Sequence, residues 1–181
     1  MVERSEAPAS PANDADAFWA LVQPHDRGLR ALAYRLTGDR DLMDDVLQEA
    51  YLRAFRALSS LRGPEAVGSW LYRIVYNASM DQLRRRQRAP QVPLEDAPDP
   101  SDPAPDPADL AAGRRDLAAA LEALPADMRA AVLLVDAEGL SYEEAGAIIG
   151  VPKGTVASRL SRAREILRRS LEADAEGVKE R

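Results

Sequence analysis

The chain has 181 residues, 24 Lys and Arg against 30 Asp and Glu, a formal net charge of −6 and a pI of about 4.9. It holds no Cys and one His, His25, which excludes a disulfide framework, thiol catalysis and Cys-based metal sites, and leaves a His-rich metal site or a Ser/His triad without its parts. No apolar run approaches the roughly 20 residues of a membrane span and the N-terminus has no signal-peptide core, so the chain reads as soluble and intracellular.

Residues 1–15, rich in Pro, Ala and Asp, are expected to form a disordered tail. A first helical unit then covers 16–88. Asp16–Val22 is a short amphipathic start that stops before Pro24. Arg27–Thr37 carries Leu29, Leu32, Ala33 and Leu36 at helical spacing and ends at Gly38. Asp41–Leu58 repeats Leu42, Val46, Ala50, Ala54 and Leu58 every four residues, with Asp44, Asp45, Gln48, Glu49 and Arg53 on its other side. After the loop Leu61–Pro64, Glu65–Arg86 has Trp70, Leu71, Ile74, Val75, Ala78 and Leu83 as its apolar stripe. It leads into the basic cluster Arg84, Arg85, Arg86 and Arg88.

Ala89–Gly113 differs from everything around it. It holds six acids, no Lys or Arg, and seven of the 13 prolines. Pro fixes φ and lacks an N–H, so an extended, self-repelling linker is expected. Its six acids account for the whole net charge, because the remaining 24 acids and 24 bases cancel. The acidic pI, which would argue against a nucleic-acid partner, is therefore a property of the linker alone.

A second helical unit covers 114–171, followed by a tail at 172–181. Helices are expected at Leu110–Ala123, at Pro125–Ala137 with Pro125 in its first turn, and from the capping box Ser141–Glu144 to about Ile149. A last helix runs from about Lys153 to Leu171 and carries Arg159, Arg162, Arg164, Arg168 and Arg169. Two helices joined by a short Gly-containing turn make a helix-turn-helix. Gly146 and Gly150 stand where the helices approach and turn, Ile149, Val151, Val156 and Leu160 provide the apolar contacts, and Lys153, Thr155, Ala157, Ser158, Ser161 and Arg162 lie on the second helix's open face. Short polar groups and Arg are the types that reach base edges and phosphates from the major groove. The fold class is all-α, two small helical units and a linker, with no alternating strand pattern.

At this point a family resemblance is specific. LPADMRAAVLLVDAEGLSYEEAGAIIGVPKGTVASRLSRAREIL resembles domain 4 of the extracytoplasmic-function (group IV) bacterial sigma factors. TGDRDLMDDVLQEAYLRAFRAL resembles the sigma domain 2 helix that docks on RNA polymerase, and GSWLYRIVYNASMDQLRRR the adjoining promoter-melting and minus-ten helix. The resemblance covers about residues 17–88 and 110–171.

It implies roles residue by residue. Asp44, Asp45, Gln48, Glu49 and Arg53 match the face that binds the clamp coiled coil of the largest polymerase subunit; on composition alone the same residues are an ordinary solvated face. Trp70, Asn77, Asp81, Arg84 and Arg85 match the minus-ten surface, and the loop Leu61–Pro64, with Arg62, lies where the family captures a flipped base. Trp70 also reads as a core aromatic. Ser158, Ser161 and Arg162 match the minus-thirty-five base readers, with Lys153, Thr155 and Arg159 as phosphate or supporting contacts. Met128, Leu133 and Leu134 lie on the helix that meets the flap tip of the second-largest subunit, and core packing explains them equally well.

The linker would thread through polymerase toward the active-site cleft and RNA exit path. An anti-sigma partner, often membrane-bound, would hold the chain inactive. Three departures from the family pattern stand out: VLQE for LVQE, Gly146 for Ala at a helix-propensity cost of about 1 kcal/mol, and the short side chains of Ala157 and Ser161. The expected function is promoter-specific initiation by a dissociable, non-enzymatic polymerase subunit without cofactor or metal, working in the cytoplasm at the nucleoid. Two other readings are a stand-alone helix-turn-helix regulator with an N-terminal effector unit, and a polymerase-binding inhibitor or scaffold.

Overall fold

The computed structural model describes residues 11–61, 63, 66–88 and 108–179, with side chains described at 15–59, 61, 63, 66–88 and 116–172. The described residues form helices and their connections. In chain order these are α1 (Pro11–Val22), α2 (Asp26–Thr37), α3 (Arg40–Arg56), a 3₁₀ turn (Leu58–Ser60), α4 (Val67–Arg88), α5 (Ala108–Ala123), α6 (Ala126–Val132) continuing as a π-helical segment (Leu133–Ala137), α7 (Tyr142–Ile149) and α8 (Lys153–Lys179).

The helix ends follow local chemistry. Asp39 caps α3 by accepting from the N–H groups of Asp41 and Leu42 at 2.9 and 3.2 Å, which satisfies donors that have no partner inside the helix. Ser141 and Glu144 form the expected capping box at the start of α7. Pro125 sits one place earlier than expected, as the N-cap of α6 with extended backbone.

Three boundaries differ from the sequence reading. Helix α1 starts at Pro11 rather than at residue 16. Helix α5 starts at Ala108, so 108–113, counted above with the linker, are helical. Pro107 is the last of the linker prolines, and a helix can begin directly after a Pro because its first N–H groups have no helical acceptor to lose. Helix α8 continues to Lys179, through most of the expected tail. The proposed disorder of 1–10, the extended character of 89–107 and the loop positions 62, 64 and 65 lie outside the described residues.

The core is shared. Phe18, Val22, Leu29, Leu32, Leu36, Val46, Leu71 and Val75 from the first unit lie in one continuous apolar cluster with Ala130, Ala131, Leu133, Leu134, Ala145, Ile148 and Val156 from the second. A smaller cluster of Ala120, Leu124, Val132, Leu160, Ala163 and Leu167 joins α5, α6 and α8. Helix α4 packs on α2, α3 and α7. Units of this size bury too small a fraction of their surface to be comfortably stable alone, and the joint cluster relieves that shortage. Among the described residues no helix is long and apolar enough to cross a membrane.

The helix-turn-helix has the close approach expected at Gly146. A Cβ on Gly146 would lie 2.7 Å from the carbonyl oxygen of Val151, closer than any real Cβ contact. The same segment returns N–H groups of Gly150 and Val151 to the Gly146 carbonyl at 2.8 and 3.0 Å, with Gly150 at φ 81°, the left-handed cap that Gly adopts at little cost. Gly146 is thus a packing requirement that outweighs its helix-propensity cost. Gly146→Ala should lower stability by roughly 1–3 kcal/mol through overpacking in urea denaturation, although helix propensity alone predicts a gain of about 1 kcal/mol. A measured gain would show that the turn can yield.

Candidate nucleic-acid and polymerase interfaces

Helix α4 separates its faces sharply. Leu71, Tyr72, Val75, Tyr76, Ala78 and Ser79 are buried, whereas Arg73, Asn77, Arg84 and Arg85 are exposed and Trp70 and Asp81 half-buried. Positions 70, 73, 77, 81 and 84 recur at three- and four-residue steps, so they form one stripe along the helix. The expected minus-ten residues Trp70, Asn77, Asp81 and Arg84 are therefore neighbours on one surface.

Trp70 packs on the core cluster and also lines an open pocket with Arg53, Ala57, Arg73, Ile74 and Asn77. An aromatic wall beside an amide and two guanidinium groups offers a stacking surface, an edge that can donate and accept, and cations for phosphate. Arg73 was not singled out from the sequence. Its spacing of four from Asn77 was the available signal. Arg62, in the adjoining loop, lies outside the described residues.

The polar face of α3 is joined to this surface rather than separate from it. Arg53, expected on the polymerase side, donates to Glu49 at 2.5 Å and to Asp81 of α4 at 3.2 Å. Asp81 also accepts from Arg84 at 3.2 Å, and Arg85 stands 3.7 Å from Glu49. Hydrogen bonds to Glu49 and Asp81 outweigh partial burial and hold the Arg53 guanidinium above its ordinary pKa. Such half-exposed pairs contribute little stability, about 0–1 kcal/mol each, so they are free to exchange partners. Asp44, Asp45 and Gln48 are exposed, and Asp44 lies 3.5 Å from Arg30.

Leu52 was missed from sequence. It is 50% exposed and follows Asp44 and Gln48 at steps of four, which places an apolar side chain on the charged face. Phe55 is exposed close by, in edge contact with Phe18.

In the helix-turn-helix, α8 buries Val156, Leu160, Ala163 and Leu167 and exposes Lys153, Ser158, Ser161 and Arg162. Among the described residues Arg162 makes no ion pair, leaving its guanidinium to solvent. Thr155 is half-buried, and its carbonyl accepts from the Ser158 hydroxyl at 2.9 Å. The Lys153 ammonium pairs with Glu143 at 2.6 Å. That hydrogen bond raises the Lys153 pKa and lowers that of Glu143.

Arg159 is placed differently from its neighbours. It pairs with Asp127 of α6 at 3.0 Å and its side chain is only 24% exposed, so it is not part of the outward set in this conformation. Leu133 and Leu134, considered for the flap tip, are core residues here, and Met128 packs on the smaller cluster.

A helix-turn-helix with an outward basic face, and a second helix pairing arginines with an aromatic pocket, define a DNA-binding transcription protein. The description "Sigma-70 region 2" matches residues 21–89, and "Sigma-70, region 4" matches 114–167. The ECF RNA polymerase sigma factor SigM of Mycobacterium tuberculosis is 41% identical over 172 residues, covering 93% of this chain and 86% of that protein. The ECF RNA polymerase sigma-E factor of Escherichia coli is 35% identical over 165 residues, covering 85% and 86%.

Among solved structures, the sigma factor RpoE in complex with the anti-sigma factor NepR from Bartonella quintana matches with a TM-score of 0.69 and 33% identity, over 89% of this chain and 98% of that one. CnrH in complex with the cytosolic domain of CnrY matches with a TM-score of 0.66 and 29% identity, over 90% and 92%. The chain belongs to the extracytoplasmic-function RNA polymerase sigma factors of the sigma-70 family.

Arg53 stands at the junction of the two surfaces, so Arg53→Ala should weaken core-polymerase binding and minus-ten opening together. Titration of labelled core and open-complex yield measure the two separately, and loss of only one would assign Arg53 to that surface alone.

Proposed function

We propose that the chain acts as a dissociable specificity subunit that binds core RNA polymerase, directs it to promoters, melts the minus-ten element and initiates transcription, with α3 and α4 carrying the first unit's contacts and α8 reading the minus-thirty-five element. It is a binding protein and the polymerization chemistry belongs to the core enzyme. The observation that carries this reading is the pairing of two exposed basic surfaces, on α4 and on α8, in one chain of the sigma family. A lone helix-turn-helix regulator would leave the arginine-lined pocket of α4 without a task.

On the α3 side, Asp44, Asp45, Gln48, Glu49 and Arg53 meet the clamp coiled coil, with Leu52 adding apolar contact. On α4, Asn77 and Asp81 share a face and can read the edge of a base that has left the stack. Extrusion costs a few kcal/mol, and the polar, Trp70-walled pocket offsets part of it. Arg84 and Arg85 hold phosphates near the duplex–single-strand junction, and Arg62 belongs to the loop assigned to capture of the flipped base. On α8, Ser158, Ser161 and Arg162 face base edges, with Lys153, Thr155 and Arg159 supporting. Because Ala157 and Ser161 are short, DNA shape carries part of the recognition.

Met128, Leu133 and Leu134 meet the flap tip once their surface is available. The partners are core polymerase, promoter DNA and an anti-sigma factor; one solved relative of this fold is in complex with an anti-sigma factor. The chain works in the cytoplasm, at the nucleoid when engaged and beside the membrane when an anti-sigma factor tethers it.

Asn77→Ala should reduce open-complex yield on a minus-ten template far more than it reduces core affinity. Arg162→Ala should cost about 1–3 kcal/mol on templates carrying the upstream element and nothing on templates without it. Run-off transcription with reconstituted holoenzyme on the two templates checks both. Equal loss on both templates would remove Arg162 from the readers.

A further inference from the structure

We infer that Trp19 of α1, backed by Tyr51 and continued by Leu52 and Phe55 of α3, is an aromatic anchor for core polymerase that extends the polymerase-facing surface of α3 onto the N-terminal helix. The inference rests on the polymerase docking proposed above for α3.

Among the described residues six large apolar side chains are exposed, and Trp19, Leu52 and Phe55 are three of them. They belong to one aromatic assembly. Phe18 stands edge-on to Phe55 with 5.4 Å between ring centres, and Trp19 stands edge-on to Tyr51 at the same separation. Phe18 is buried and fixes α1 to the core, whereas Trp19 beside it is 49% exposed. The Trp19 indole N–H makes no hydrogen bond among the described residues. The ring therefore offers an apolar body with a free donor, the combination that suits an interface.

Tyr51 is the fixed wall behind the indole. Its hydroxyl donates to Asp26 of α2 at 2.6 Å. Asp26 also accepts from Arg30 at 3.0 Å, and Arg30 stands 3.5 Å from Asp44. Half-burial and the bond to Asp26 raise the Tyr51 pKa, so the phenol stays protonated as a donor. The polar chain thus runs from the aromatic patch to Asp44, on the polymerase-facing side of α3.

The open side of α3 is continuous between two edges. Asp44, Gln48, Leu52 and Phe55 follow one another at steps of four and three, with Asp45 and Glu49 beside them. One edge is bounded by α4 through Arg53 and Asp81. The opposite edge is bounded by Trp19 on Tyr51. A partner lying along α3 meets Trp19 as it crosses that edge.

The rim decides which kind of partner fits. Asp16, three residues before Trp19 on α1, is exposed, as are Asp41, Asp44 and Asp45. Arg30 is engaged by Asp26, and Arg56 stands exposed at the far end of α3. A base-stacking platform needs a cationic groove, and an anionic membrane surface attracts basic segments, so these carboxylates disfavour both. An apolar centre inside an acidic rim fits a protein surface with an apolar hollow and a basic border. Three half-exposed side chains of this size offer roughly 300 Å², well short of the roughly 800 Å² per partner of a specific complex. The patch therefore works as an annex of the α3 surface rather than as a separate interface for a second copy.

Titration of labelled core polymerase with the full chain tests the anchor. Trp19→Ala should weaken binding at least tenfold and Trp19→Phe less than threefold, because the ring supplies the contact. Hydroxyl-radical oxidation of the native chain needs no substitution: modification of the Trp19 indole, read by mass spectrometry, should fall at least fivefold when core is added. Unaltered affinity of Trp19→Ala, or oxidation of Trp19 that persists in the holoenzyme, overturns the anchor. So does a native chain that sediments as a dimer which Trp19→Ala dissolves. A native chain that does not bind core at all would instead count against the sigma-factor reading.

Discussion

Leu71, Val75 and Tyr76 of α4 lie in the same apolar cluster as Ile148 of α7 and Val156 of α8, and most of the architecture follows from that sharing. A unit of this size is only marginally stable alone, and the shared cluster adds to the stability of both. The cost is conformational: the same contact fixes the distance between the exposed basic faces of α4 and α8. Arg129 makes the trade visible in one side chain. It satisfies carbonyls of α2 and of α5 together, so neither helix end is fully capped once the units part.

The exposed surfaces are arranged around the shared core as exchangeable polar networks. On the first unit, Glu49, Arg53, Asp81, Arg84 and Arg85 form a chain of ion pairs across α3 and α4. On the second, Lys153 pairs with Glu143 and Arg159 with Asp127. Half-exposed pairs of this kind contribute little to stability. They keep cations and carboxylates in place, hydrated and able to change partners, which is what the proposed function asks of them. The acidic linker contributes the net charge and leaves these two faces basic.

Most of this was legible in the residues. Helical spacing of Leu29, Leu32 and Leu36, the Ser141–Glu144 capping box and the Gly146–Gly150 turn each encode a local structure through short-range contacts, and all three stand in the fold. The stripe Trp70, Asn77, Asp81 and Arg84 needed only the helical repeat. What was not legible was tertiary. Nothing local indicates that Arg159 turns toward Asp127, 32 positions earlier, or that Tyr72 meets Glu138 across 66 residues. Leu52 went unnoticed because an apolar residue on a charged face breaks the pattern that periodicity detects. The start of α5 was misplaced because composition marks a linker by its prolines, and helix formation resumes directly after the last of them.

The central claim, carried from the proposed function, is that this chain directs core polymerase to promoters. Run-off transcription with core polymerase, on one template bearing both promoter elements and one lacking them, tests it most directly. The account predicts specific transcript from the first template only when the chain is added to core. No transcript from that template, or equal transcript from both, would contradict it.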